Sequence, residues 1–293
     1  MTTENVKTDS RWSQSTGEII LWLAIVCFLA TAIAFSWNPT PFAQGLAAIF
    51  IASAFAHACV LYSLRSALVL FFICIMITFA IENLGAATGF PFGHYHFEVD
   101  PDLPRVGSIP IIVGPLWFGA GYFSWIVASI LLDGADRHLD RPFNLTALPV
   151  VAAFVMTQWD LVMDPPQSTI ARIWIWHDGG ADFGVPLSNY LGWLLTSWLF
   201  YQAFALYLRR GTIKRLNNEQ QRSKLLLIAI LFYASAGLTH VVPWLTGNSG
   251  KVTDAAGHVW EIHDLRETTV AIMLFTMFFT SVLAALRLMK QHP

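Results

Sequence analysis

Long apolar stretches separated by short polar or basic segments dominate the chain. A helix that crosses a bilayer needs about 20 mostly apolar residues. Runs of that kind fall at 19–37, 42–62, 66–87, 109–132, 146–163, 187–208, 225–246 and 267–288, the fifth being the shortest. The pattern predicts an all-α, polytopic integral membrane bundle of about eight transmembrane helices. No linker divides it, so the expectation is one domain over residues 1–293, with a polar tail at 1–18. The tail is polar and the run behind it is long enough to span. The sequence therefore predicts a retained first helix rather than a cleaved signal.

Composition agrees. Only 12% of the 293 residues are charged and 55% are hydrophobic, whereas a soluble domain carries about a quarter charged residues. Lipid is the partner for much of the surface. A net charge of −2 carries no footprint for nucleic acid. Cys27, Cys59 and Cys74 lie inside apolar runs and read as small hydrophobes.

Lys and Arg set the expected orientation, because cytoplasmic loops carry their excess. With eight spans, 13 of them fall on one side: the N-terminal tail, Arg65, Arg137, Arg141, the 209–224 segment and the C-terminus. The other side holds four, Arg105, Arg172, Lys251 and Arg266. Both termini are thus expected in the cytoplasm, in a bacterial-type inner membrane. Dropping the fifth span would put the strongly basic 209–224 segment outside. The three long connections, 88–108, 164–186 and 247–266, then share the outer face, and long irregular loops gathered on one face tend to carry function.

Glu82 lies near the outer end of the third span, and an intramembrane carboxylate is costly unless it faces a partner or a cavity. Asn83 follows it. Asp160 and Asp164 in WDLVMDPP are four residues apart and share a helix face. Pro165 and Pro166 are expected to stop that helix and leave Asp164 at its end. A carboxylate there opposes the macrodipole and sits in apolar surroundings; both favour the neutral acid that a general acid requires. Structural alternatives stay open: Glu82 bonding a neighbouring helix, Asp164 capping a turn, Asp160 pairing with an Arg such as Arg172. In FGHYHF, His94 and His96 flank Tyr95, so both imidazoles point one way in an extended segment. Plugging the cavity mouth, hydrogen bonding or proton relay, and metal ligation are all compatible with them; no HExxH or ExxH pair supports the last. Trp159 adjoins Asp160, and Trp174 and Trp176 follow Asp164. Interfacial Trp belts are common, but ring faces beside an acid also suit a carbocation.

Absences narrow the classes. No lysine falls mid-span, which argues against a retinal Schiff base, and no phosphate-binding loop or histidine-rich di-iron set is present.

Several stretches together resemble the membrane carotenoid biosynthesis family that includes the carotenoid hydratases. They are Glu82 with GFPFGHYHF, IPIIVGPLWFGAGYF, WDLVMDP and IWIWHDGGADFGVPLSNYLGW, within about residues 80–200. Where that family has an LGP-like stretch, this chain reads EVDPDLPRVGSIP. The resemblance implies a lipophilic carotenoid or polyisoprenoid substrate and a cofactor-free, metal-free addition of water across the terminal C=C of an acyclic end. Chemistry then assigns Asp160 or Asp164 as acid, Glu82 as partner base or cation stabiliser, Asn83 and Asn189 to hold water, and Tyr95, Trp159, Trp174 and Trp176 to face the cation, with His94 and His96 at the substrate entrance. A metal-dependent oxygenase on the same scaffold and a non-enzymatic lipid or carotenoid carrier are the alternatives. Oligomeric state stays open.

Overall fold

The computed structural model describes residues 3–37, 39–211, 219–247 and 249–291. Lys214 and Arg215 of the basic segment lie outside them. Among the described residues eight helical spans are long and apolar enough to cross a bilayer: Gly17–Phe35, Ala43–Leu61, Leu64–Thr88, Val113–Leu131, Pro142–Ile170, Leu187–Arg210, Glu219–Thr246 and Ile262–Lys290. The chain is an integral membrane helical bundle.

The first three spans belong to helices α1 (Thr3–Trp37), α2 (Pro39–Leu61) and α3 (Leu64–Thr88). Ser63 starts α3, its hydroxyl accepting from the Ser66 amide, and Gly89 ends it at φ 80°, a left-handed conformation that favours glycine. A loop follows, holding strands β1 (Tyr95–Phe97), β2 (Arg105–Val106) and β3 (Ile109–Pro110). Helices α4 (Val113–Leu131), α5 (Pro142–Pro165) and α6 (Leu187–Arg210) come next, with strand β4 (Trp174–Trp176) between the last two. The seventh span is α7 (Glu219–Leu238) with the short α8 (Val241–Thr246). Strands β5 (Lys251–Thr253) and β6 (Val259–Glu261) precede the eighth, α9 (Ile262–Met273) and α10 (Phe279–Gln291) joined by a π-helical turn.

α4 is the hub. Buried over 83% of its length, it packs against α2, α3, α5, α7 and α10. Its glycines admit bulky neighbours, Phe50 resting against Gly119 and Phe200 against Gly121. Small residues at helix contacts serve this purpose in lipid, where close packing replaces the hydrophobic effect between helices. At the end opposite the long connections, buried Asp136 accepts from Tyr62 Oη (2.8 Å) and Ser129 Oγ (2.5 Å) and pairs with Arg222 at 3.4 Å.

The fifth span corrects one expectation. Pro165 and Pro166 do not stop the helix. Neither proline has an N–H to donate, and the backbone answers with a π-helical turn over Pro166–Ile170. The Ala171 amide bonds back to the Pro166 carbonyl at 2.9 Å, and Ser168 Oγ serves the Asp164 carbonyl at 2.9 Å. The span is therefore longer than the apolar run implied.

All three long connections meet at one end. β1 and β4 pair antiparallel, Tyr95 opposite Trp176 and Phe97 opposite Trp174. The third connection joins them where Phe183 packs on Trp260, ring centroids 5.3 Å apart.

Candidate active site

Three buried carboxyls gather beneath that roof. Glu82 comes from the last turns of α3, 6% exposed, and Asp160 and Asp164 from one face of α5, 0% and 1% exposed. Their spacing of four residues delivers both to α6, where Asn189 stands in the first turn. Its single amide nitrogen donates to Asp160 Oδ2 at 2.8 Å and to Asp164 Oδ2 at 2.5 Å. The other Asp164 oxygen accepts the indole N–H groups of Trp174 (2.8 Å) and Trp176 (3.1 Å). Asp160 Oδ1 is buried without a hydrogen-bond partner among the described residues. Glu82 Oε2 accepts from the Tyr95 hydroxyl. Burial and the adjacent Glu82 carboxyl push Tyr95 far above the ordinary phenol range, so it is a donor.

Among the described residues none of the three acids forms an ion pair with a basic side chain: Arg172 instead pairs with Glu98 at 3.4 Å. That removes the Arg172 reading of Asp160. Nor does the Asp164 side chain cap a turn, being committed to Asn189 and two indoles.

A cavity of about 110 Å³ opens over Glu82 and Asp164, walled by Tyr95, Trp159, Trp174, Trp176 and Asn189 among others. Asp160 lies behind its wall, reached through Asn189. Six residues, Phe97, Val113, Leu116, Trp159, Met163 and Trp174, also line a second chamber of about 620 Å³. They form a collar between a small acidic pocket and a large apolar one. The large chamber reaches α1, α2, α7 and α9, and its rim includes Leu103 and Ile112, each over 40% exposed.

The ribbon sorts the motif FGHYHF by alternation. Tyr95 and Phe97 face inward to the pocket, and His94 and His96 face out. His94 Nδ1 lies 2.8 Å from Asp178 Oδ2, which holds that carboxyl below its usual range, and His96 Nδ1 lies 2.7 Å from His177 Nε2. Neither imidazole reaches the cavity. Asn83 is also turned away. It donates to the carbonyls of Phe79 (2.8 Å) and Val106 (3.0 Å) and accepts from the Ser108 amide (2.9 Å), clamping the β2–β3 turn. Among the described residues no three of His, Cys, Asp and Glu are grouped to hold a metal ion.

Other lining residues are tryptophans of the spans to which the sequence reading assigns no site role. Trp117 and Trp193 stack across the pocket, centroids 3.9 Å apart and planes 17° apart, with Trp159 6.0 Å from Trp193. Trp193 is four residues beyond Asn189 and so shares its helix face, a legible signal. Asp182 is a fourth acid at the margin, with Tyr190 Oη donating to it at 2.5 Å. Burial pushes the Asp182 carboxyl up, and the Tyr190 bond holds it partly down.

The fold and the pocket define a membrane-embedded protein with acidic groups sealed in an aromatic recess beside a long apolar chamber. The chain belongs to the carotenoid biosynthesis protein family, whose model matches residues 42–256 and so takes in all four acids. It is 28% identical over 138 residues to the bisanhydrobacterioruberin hydratase of Haloarcula japonica, a match covering 47% of this chain. The chain spans 44% of that relative's length. No solved structure matches.

Proposed function

We propose that the protein is a cofactor-independent carotenoid hydratase, adding water across the terminal C=C of an acyclic carotenoid end to give a tertiary alcohol. The observation that carries this reading is the Asn189 bridge, which holds Asp160 and Asp164 together in an apolar recess, with no ion pair to either among the described residues.

Two carboxylates sharing one donor repel strongly out of water. The pair is read as holding one proton between them, titrating as a unit. Asp164 faces the cavity and delivers the proton; Asp160, with one oxygen unpartnered, is its reserve. The proton goes to the CH carbon of the terminal trisubstituted alkene. The C=C π pair forms the new C–H bond and leaves the positive charge on the tertiary carbon. Trp159 and Trp193 present rings to that cation, and the carboxylate left behind offsets its charge. Water attacks the cation, Glu82 takes the released proton with Tyr95 bonded to it, and the proton returns to the aspartate pair. Alkene plus water gives alcohol, with no change of oxidation state for the protein.

The substrate end enters from the large chamber through the collar while the rest of the polyene stays in apolar surroundings. The site is read as lying near the outer face of the inner membrane, because the three long connections cover it and the basic segments lie at the other end.

The test is the source of oxygen. Protein in lipid nanodiscs is given an acyclic carotenoid in water carrying heavy oxygen. Label in a product heavier by one water supports hydration. Label taken from molecular oxygen overturns it in favour of an oxygenase, and binding without product favours a carrier.

A further inference from the structure

The large chamber is not uniformly greasy. Most of its wall is aliphatic or aromatic, yet Gln167, His240, Arg266 and Thr269 also line it. A hydrocarbon shaft has no use for such groups, and polar side chains facing an apolar space lose hydration unless something replaces it. His240 is the informative one. It ends the seventh span just before α8, its backbone amide is used by Gly237 (3.2 Å), and its carbonyl by Trp244 (3.3 Å). Its imidazole has no hydrogen-bond partner among the described residues, and the ring lines the chamber. Thr269 is already committed, donating to the Leu265 carbonyl at 2.9 Å. Pockets of this kind, mainly apolar with a few convergent polar groups, use those groups to fix a ligand's register.

We infer that the large chamber carries a second recognition subsite, centred on His240 with Gln167, for a hydroxyl or carbonyl oxygen borne by the isoprenoid chain. It rests on the reading of the small pocket as the place where the chain's end reacts. Neutral imidazole and carboxamide each offer a donor and an acceptor. That set suits a neutral oxygen better than a bare hydrocarbon. The chamber and the acid pocket share their collar, so an oxygen held at His240 sets how far the reacting end projects toward Asp164. The subsite measures chain length and distinguishes an oxygenated isoprenoid from its parent.

The experiment uses the full chain in nanodiscs and prenyl alcohols of increasing length, from farnesol upward, each against the matching hydrocarbon lacking the hydroxyl. Binding is read by quenching of tryptophan fluorescence, and product is assayed in the same samples. One hydrogen bond is worth about 1 kcal/mol, so at the matching length the alcohol binds about fivefold tighter. His240→Leu removes that preference by weakening the alcohol alone, and His240→Asn keeps part of it. Should His240→Leu fail to insert, Gln167→Leu is expected to reduce the preference. Equal affinity for alcohol and hydrocarbon at every length, or equal weakening of both by His240→Leu, overturns the subsite. A preference for the alcohol, with no water added to an acyclic carotenoid supplied to the same nanodiscs, overturns the hydratase and leaves the subsite standing. Product without any preference does the reverse.

Discussion

Tyr95 and Trp176 sit opposite each other on the β1–β4 ribbon with ring centroids 5.0 Å apart, and each bonds a different buried acid, Tyr95 to Glu82 and Trp176 to Asp164. A ribbon of three residues per strand thus ties α3 to α5 across the pocket. It sets the separation of the two acids that line the cavity. The long connections therefore act as part of the acid pocket's frame as well as its roof.

Asp164→Asn and Asp160→Asn keep the shape and remove the proton. Loss of a general acid costs about 10²- to 10⁴-fold in rate. Both variants are expected to insert and bind carotenoid while turnover falls by that amount. Wild-type turnover from both, measured as water added per protein per minute, removes the acid assignment.

Asn189→Leu strips the shared donor from two carboxyl oxygens. An unsatisfied buried acceptor costs about 1–3 kcal/mol, and the two acids then repel without a mediator. Lower thermal stability in nanodiscs and lost turnover are expected together. The double variant Asn189→Leu with Asp160→Leu should recover stability but not turnover; full recovery of both would make the bridge dispensable.

Tyr95→Phe deletes the hydroxyl that donates to Glu82 Oε2. Turnover should drop while carotenoid affinity, measured by spectral shift, changes little, because the ring and its contact with Trp176 remain. An affinity loss matching the rate loss would instead make Tyr95 a packing residue.

Met163 lies in the collar between the chambers. Met163→Ala widens it and is expected to admit bulkier chain ends, raising the rate on a cyclic-ended carotenoid relative to an acyclic one. An unchanged ratio would mean that the passage does not select.

Asp254 gives a pH prediction. Burial alone would raise its carboxyl, but the Trp260 indole at 2.9 Å and the backbone and ring of His258 outweigh that and hold it below its ordinary value of 3.8. A carboxyl lowered by folding contributes stability that is present above the unfolded value and is lost as pH falls through the folded one. The β5–β6 hairpin should keep its amide protection from about pH 7 to about pH 4 and lose it below. Asp254→Asn should lose protection already at neutral pH. Hydrogen exchange at the amide of His258 checks both.

How much of this was legible follows from what each signal measures. Glu82 and the Asp160–Asp164 pair stood out because charge inside an apolar run is costly, and a spacing of four fixes a common helix face. Eight spans were legible because each must satisfy its backbone within itself and cover about the thickness of the bilayer, both local properties of the chain. Alternation placed His94 and His96 on one side of Tyr95, but it could not say which side faced inward. That needed Trp176 as Tyr95's partner, 81 residues away.

The sequence alone determined the membrane bundle, the count of spans and the three acids Glu82, Asp160 and Asp164, since these depend on hydropathy and near-neighbour spacing. Tertiary structure decided which polar groups met: Asn189 between two aspartates, Arg172 on Glu98 rather than Asp160, Asn83 on a turn rather than in the pocket. It also carried the fifth helix past its prolines through a π-helical turn. Those outcomes depend on distances between segments far apart in the chain, which the order of residues does not specify until the helices pack.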